Sequence, residues 1–166
     1  MLRSLADWLA TTPLSVALQA RPWISATSES VHIVALSVVF FSAILINSRL
    51  LGIARAGRSI LQLTQELTPW IWRGLAILLL TGAVQIMAEP VRVLVNPVFW
   101  AKMALLLAVV LMSAGFTRTV RRDAARWDAA ASRPAGAAAF AWCSTLLWVA
   151  IVVCGRMIVY VSSAFL

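Results

Sequence analysis

Charge is scarce in this sequence: Lys, Arg, Asp and Glu together make up 12% of 166 residues, about half the share usual in soluble proteins. It also holds only one histidine, two cysteines and one tyrosine. No nucleophile elbow, P-loop, HExxH or paired-carboxylate pattern occurs, which excludes soluble-type hydrolase and kinase chemistry. With His32 alone, two-histidine haem ligation within one chain is excluded as well. Cys143 and Cys154 share one long apolar stretch. Eleven residues of helix set them about 16 Å apart, beyond disulfide reach. There is no internal repeat, and the Ala-rich approach to residue 137 is the only low-complexity tract.

What the chain has instead is apolar mass, 62% of its residues, with a mean hydropathy of +0.92. Left in water, that surface would cost on the order of 25 cal/mol per Å². A lipid bilayer is therefore the expected surroundings. The formal charge of +8 is read with the membrane, because basic residues flanking apolar spans orient a chain and meet anionic lipid. No nucleic-acid motif accompanies them, so no nucleic-acid partner is expected.

Four stretches have the roughly 20 apolar residues that a crossing needs: residues 30–52, 68–88, 97–117 and 137–162. The expected fold is all-α, an integral membrane four-helix bundle forming a single domain over 1–166. Short links make sequential helices antiparallel neighbours. Pro69, Pro90, Pro97 and Pro134 fall at or outside these ends, where the missing amide proton is not needed. Residues 54–67 are too polar to cross and are expected along the surface. Residues 1–25 lack the uninterrupted apolar core of a signal peptide. Leu2, Leu5, Trp8 and Leu9 recur at helical spacing, with Ser4 and Asp7 placed like a capping box, so a short interfacial helix is expected.

Arg49, Arg55 and Arg58 follow the first span, and Arg118, Arg121, Arg122, Arg126 and Arg133 follow the third. The opposite side holds Arg3, Arg21 and Arg92. By the positive-inside rule both charged loops are cytoplasmic, which puts both termini in the periplasm of a bacterial inner (plasma) membrane.

Ionisable groups at membrane depth are costly and therefore candidate site residues. Glu29 and His32, Glu89 and Arg92, Lys102, and Arg156 are all expected toward the outer side. Glu29 and His32, three apart, can interact on one helix face. Two uses are open. His32, Glu29, Lys102 and Arg156 form a candidate cofactor-binding set for haem b or a quinone. His32 with Met87, Met103 and Met157 forms a candidate Cu(I) set of imidazole and thioethers, although methionines in apolar helices commonly serve packing. The plainer reading is ion pairs at the interface and no cofactor. Asn47, Thr81 and Gln85 are expected to hydrogen-bond between helices, and Gly74, Gly82 and Gly115 to permit close approach. Trp70, Trp72, Trp100 and Tyr160 suit an aromatic belt, while Trp142 and Trp148 face lipid or an apolar partner.

The segments WLATTPLSVALQ, NSRLLG, ELTPW and LTGAVQIMAEPVRVLVNPVFWAKM occur in this order, with His32 opening the first span. Together they resemble a bacterial family of small, uncharacterised four-helix inner-membrane proteins, over nearly the whole chain. They are more distantly similar to copper-resistance D and cytochrome b561-like domains. The resemblance implies the four-helix architecture. It matches His32, Arg49, Glu89, Pro90, Trp100 and Lys102 to family positions that carry no assigned role. Where the family often has acidic-x-Arg-Leu-Leu-Gly, this chain has Asn47, Ser48 and Arg49. The expected function is a non-enzymatic or accessory subunit, in a homo-oligomer or with a membrane-complex partner. The alternatives are electron transfer through haem or quinone near His32, and transport of metal ions or small solutes.

Overall fold

The computed structural model describes residues 1–53, 57, 59–123, 127 and 136–165. Every regular element among them is helical: α1 Leu2–Ala10, α2 Pro13–Gln19, α3 Pro22–Leu50, α4 Ile60–Ala88, α5 Pro90–Leu94, α6 Pro97–Arg122 and α7 Ala137–Phe165. Arg55, Arg58, Arg126, Arg133 and Pro134 lie outside the described residues.

Helices α3, α4, α6 and α7 are long and apolar enough to cross a membrane. At 29, 29, 26 and 29 residues they run about 39 to 43 Å, against about 30 Å for a hydrocarbon core. All four begin earlier or end later than their apolar runs, α7 by running on to Phe165. α3 starts at Pro22, because proline at the first helical position matches the helical φ and lacks only an amide with no partner there. α4 starts at Ile60, inside the stretch expected along the surface. Ser59 caps it: its side chain accepts from Gln62 N at 3.1 Å, and Gln62 Oε1 accepts from Ser59 N at 3.0 Å. This reciprocal box nucleates a helix that then runs through Pro69, which is interior and not terminal. α6 continues five residues past the expected end, to Arg122.

The N-terminal segment is two short helices and a turn. Ser4 and Asp7 do not form a capping box, since α1 already begins at Leu2 with Met1 as its N-cap and no side-chain cap. Thr12 caps α2 instead. Ala6 of α1 is buried where α1 packs on α5. Ser15 of α2 is fully buried, and its hydroxyl donates to the Met87 carbonyl at 2.6 Å, pinning α2 to the end of α4. Leu2, Leu5, Trp8, Leu14 and Trp23 stay exposed.

α3 packs chiefly on α4 and α6 on α7, with α3 and α7 joining the pairs. The long helices thus stand in the ring order α4, α3, α7, α6. The seam between α4 and α6 is the least packed of the four, so these sequential helices are weaker neighbours than short links suggested. One core cluster joins Ile46, Leu50, Ile60, Phe116, Val120 and Trp127 near the arginine-bearing end. A second fills the middle with Ala35, Val39, Ala43, Leu78, Val109, Trp148 and Ile151. Gly74 is what lets α4 close on α3, since a Cβ there would collide with Val39 Cγ2. Gly115 has nothing within 4 Å and makes no such contact.

Candidate functional site

Beyond the central core, at the end where α3 and α6 begin, the bundle holds polar groups from each long helix. His32 is half-buried on α3, ten residues past Pro22. Its Nδ1 lies 2.7 Å from Thr81 Oγ1 of α4. The Thr81 hydroxyl directs its proton to the Ile77 carbonyl at 2.7 Å. With that proton on the Ile77 carbonyl, the tautomer that fits is the one in which Nδ1–H donates to Thr81 and Nε2 carries the lone pair. Ser28, one turn earlier on α3, donates to the Thr81 carbonyl at 3.2 Å. Gly82 lies beside the ring, where a Cβ would stand 3.8 Å from His32 Cε1, an ordinary contact.

One turn beyond Thr81 on α4, the Gln85 side chain places its amide nitrogen out of solvent with no hydrogen-bond partner. A buried amide without a partner costs about 1 to 3 kcal/mol. Gln85 thus departs from the expected interhelical bonding that Asn47 fulfils, donating to Thr145 Oγ1 at 3.0 Å.

Lys102 enters from α6, half-buried, with its ammonium against α7. The ammonium lies over Gly155, where a Cβ would stand 3.4 Å from Lys102 Nζ, an ordinary contact. Lys102 is within electrostatic range of both His32 and Cys154. It has no carboxylate partner among the described residues. Charges at this depth are ordinarily paired or functional.

The other candidate residues point elsewhere. Glu29 is exposed and makes no bond to His32, whose ring turns inward to Thr81. Arg156 is exposed on α7 and caps the ring of Tyr160, 5.4 Å from its centroid, with a 3.3 Å bond to the hydroxyl. Glu89 and Arg92 pair with each other on the rim. Met103 and Met157 are exposed, because each follows an inward or rim residue and so sits about 100° further around its helix. Met87 offers its backbone carbonyl to Ser15. Among the described residues no group of three or more His, Cys, Asp or Glu could hold a metal ion.

Cys154 and Gly155 were not read as site residues, although a glycine beside a span-embedded cation is the signal that could have found Gly155. Asn96 was missed too, despite the legible Asn-Pro start of α6. It is buried, caps α6 by accepting from Val98 N at 2.9 Å, and donates to the Ile158 carbonyl at 3.0 Å. Together with the Trp100 indole bond to the Leu94 carbonyl at 2.9 Å, it fixes where α6 presents Lys102.

A family model for a family of unknown function (DUF6644) matches residues 6–161. The chain belongs to this family. The DUF6644 match runs from within α1 to near the end of α7, so the His32, Gln85 and Lys102 positions all lie within it. No curated protein matches this DUF6644 chain, and no solved structure does.

Proposed function

We propose that this chain is a multi-pass protein of a bacterial inner membrane that acts as a non-enzymatic accessory subunit, binding a quinone-class electron carrier at the His32, Gln85 and Lys102 cluster. The observation that carries the reading is the Lys102 ammonium, turned into the bundle with no carboxylate partner among the described residues. A quinone presents two carbonyl acceptors on an apolar ring. Lys102 and the unpartnered Gln85 amide are donors for them, and His32, steadied by Thr81, is a proton-accepting neighbour.

The exposed apolar side chains on all four long helices support insertion in lipid. The arginine bias between the two ends supports periplasmic termini and the site in the outer half. Haem held through His32 Nε2 is the second reading, favoured by the hydrogen-bonded Nδ1, since iron-bound imidazoles commonly donate through their other nitrogen. Copper with Met87, Met103 and Met157 is less favoured, as two of those side chains face outward.

Titration of decylubiquinone into protein held in phosphatidylcholine nanodiscs tests the proposal. Saturable binding that weakens about 10- to 100-fold in Lys102→Met is expected, from the worth of a charge-assisted hydrogen bond. Lys102→Met removes an unpaired cation and keeps the chain length, so it should fold. Equal binding by both proteins would overturn the reading. Stoichiometric iron lost in His32→Ala would replace the quinone with haem.

A further inference from the structure

At the opposite end of the bundle lies a cavity of about 210 Å³. Its position is about 20 Å from His32 along α3, judged from Asn47, fifteen residues on. It opens where α4 and α6 pack least, and α3 and α7 close its floor. Ile46, Ile71, Leu75 and Phe116 supply most of the apolar wall, and Asn47, Thr68 and Ser144 add polar groups to it. Phe116 is fixed there by stacking on Phe140, centroids 4.5 Å apart, and by an edge contact with Trp127.

Two observations on this cavity are unusual in a packed core. Trp148 is 2% exposed and lines it, yet its indole Nε1 has no hydrogen-bond partner. A buried indole N–H ordinarily finds an acceptor. At the mouth, Arg118 and Arg121 are exposed and have no carboxylate partner among the described residues. They are three apart on one face of α6, so both guanidinium groups reach the same opening. The cavity thus has cations at its entrance, a mainly apolar body with a few hydroxyl and amide groups, and a Trp148 indole in its wall whose N–H has no partner.

We infer that this cavity binds a compact amphiphilic anion about one ring in size, with its carboxylate or phosphate at Arg118 and Arg121 and an oxygen acceptor at the far end meeting the Trp148 indole. The size follows from the volume, since a cavity of about 150 Å³ takes benzene and 210 Å³ leaves room for substituents. Arginine favours carboxylate and phosphate through paired donors. The same chemistry is offered by a free aromatic acid and by the head of an anionic lipid, and the ring-sized volume favours the former.

Equilibrium dialysis of labelled 4-hydroxybenzoate against the full chain in phosphatidylcholine nanodiscs tests this. One saturable site is expected, weakened at least tenfold in the double variant Arg118→Gln, Arg121→Gln, whose side chains are exposed and not needed for packing. Trp148→Phe should weaken 4-hydroxybenzoate several-fold and leave benzoate, which lacks the distal oxygen, unchanged. That difference between probes is one a merely structural role for Trp148 would not produce. If phosphatidylglycerol in the nanodisc displaces the probe, the anion site stands and a lipid head is a second source. Absence of saturable binding, or binding equal in wild type and the arginine variant, would overturn the inference.

Discussion

A Cβ at Gly74 would collide with Val39 Cγ2, a branched and fully buried side chain that has little freedom to give way, whereas at Gly115 nothing lies within 4 Å. Glycine inside a helix ordinarily costs about 1 kcal/mol relative to alanine, and overfilling a packed site costs about 1 to 3 kcal/mol. The two effects oppose each other at Gly74 and only the first acts at Gly115. Gly74→Ala is therefore expected to lower stability by about 1 kcal/mol and Gly115→Ala to raise it by up to about the same amount. Thermal unfolding in mixed micelles reads both, and shifts of the same sign would contradict the packing described. The polar residues divide the same way. Asn47 and Thr81 each meet a partner across a helix pair, while among the described residues Gln85 Nε2 and Trp148 Nε1 have no hydrogen-bond partner and Lys102 no carboxylate. Trp148 lines the arginine-mouthed cavity, and Gln85 lies on α4 one turn from the Thr81 partner of His32.

At the scale of elements, helix boundaries depend on caps as much as on apolar length. Ser59→Ala removes the reciprocal bonds that start α4 and is expected to cost about 1 kcal/mol. Hydrogen exchange at residues 60–63 should quicken in this variant, and unchanged exchange there would contradict the role of the cap. The existence of the four long helices was legible, because runs of apolar residues are a strong signal. Their starts were less so. Hydropathy ends where polarity begins, but α3 and α4 continue into polar sequence because Pro22 and Ser59 satisfy or dispense with the first amides. Pro69 was read as a terminus for the same reason, and the helix tolerates it where one amide is lost among many. The site was legible in part: His32 and Lys102 were expected on the same side, and the structure brings them within electrostatic range. Glu29, Arg156, Met103 and Met157 share that depth but turn outward, because depth along a helix does not fix its azimuth. Trp148 shows the same gap between position and direction, since Trp142 six residues earlier is exposed and Trp148 is buried.

For the molecule as a whole, the ring order α4, α3, α7, α6 leaves one weak seam, and the arginine-mouthed cavity opens along it. The His32 cluster sits near the other end, with the Val39, Leu78, Val109 and Trp148 core between the two. Two ligand sites on opposite halves of a bundle imply opposite faces of a bilayer only if α3, α4, α6 and α7 all cross it. Alkaline phosphatase fused after Ile53, Val95, Asp123 or the C-terminus measures this directly. The account expects high activity at Val95 and at the C-terminus and none at Ile53 or Asp123. Activity at Ile53 and Asp123, or equal activity at all four points, would contradict four crossings with periplasmic ends.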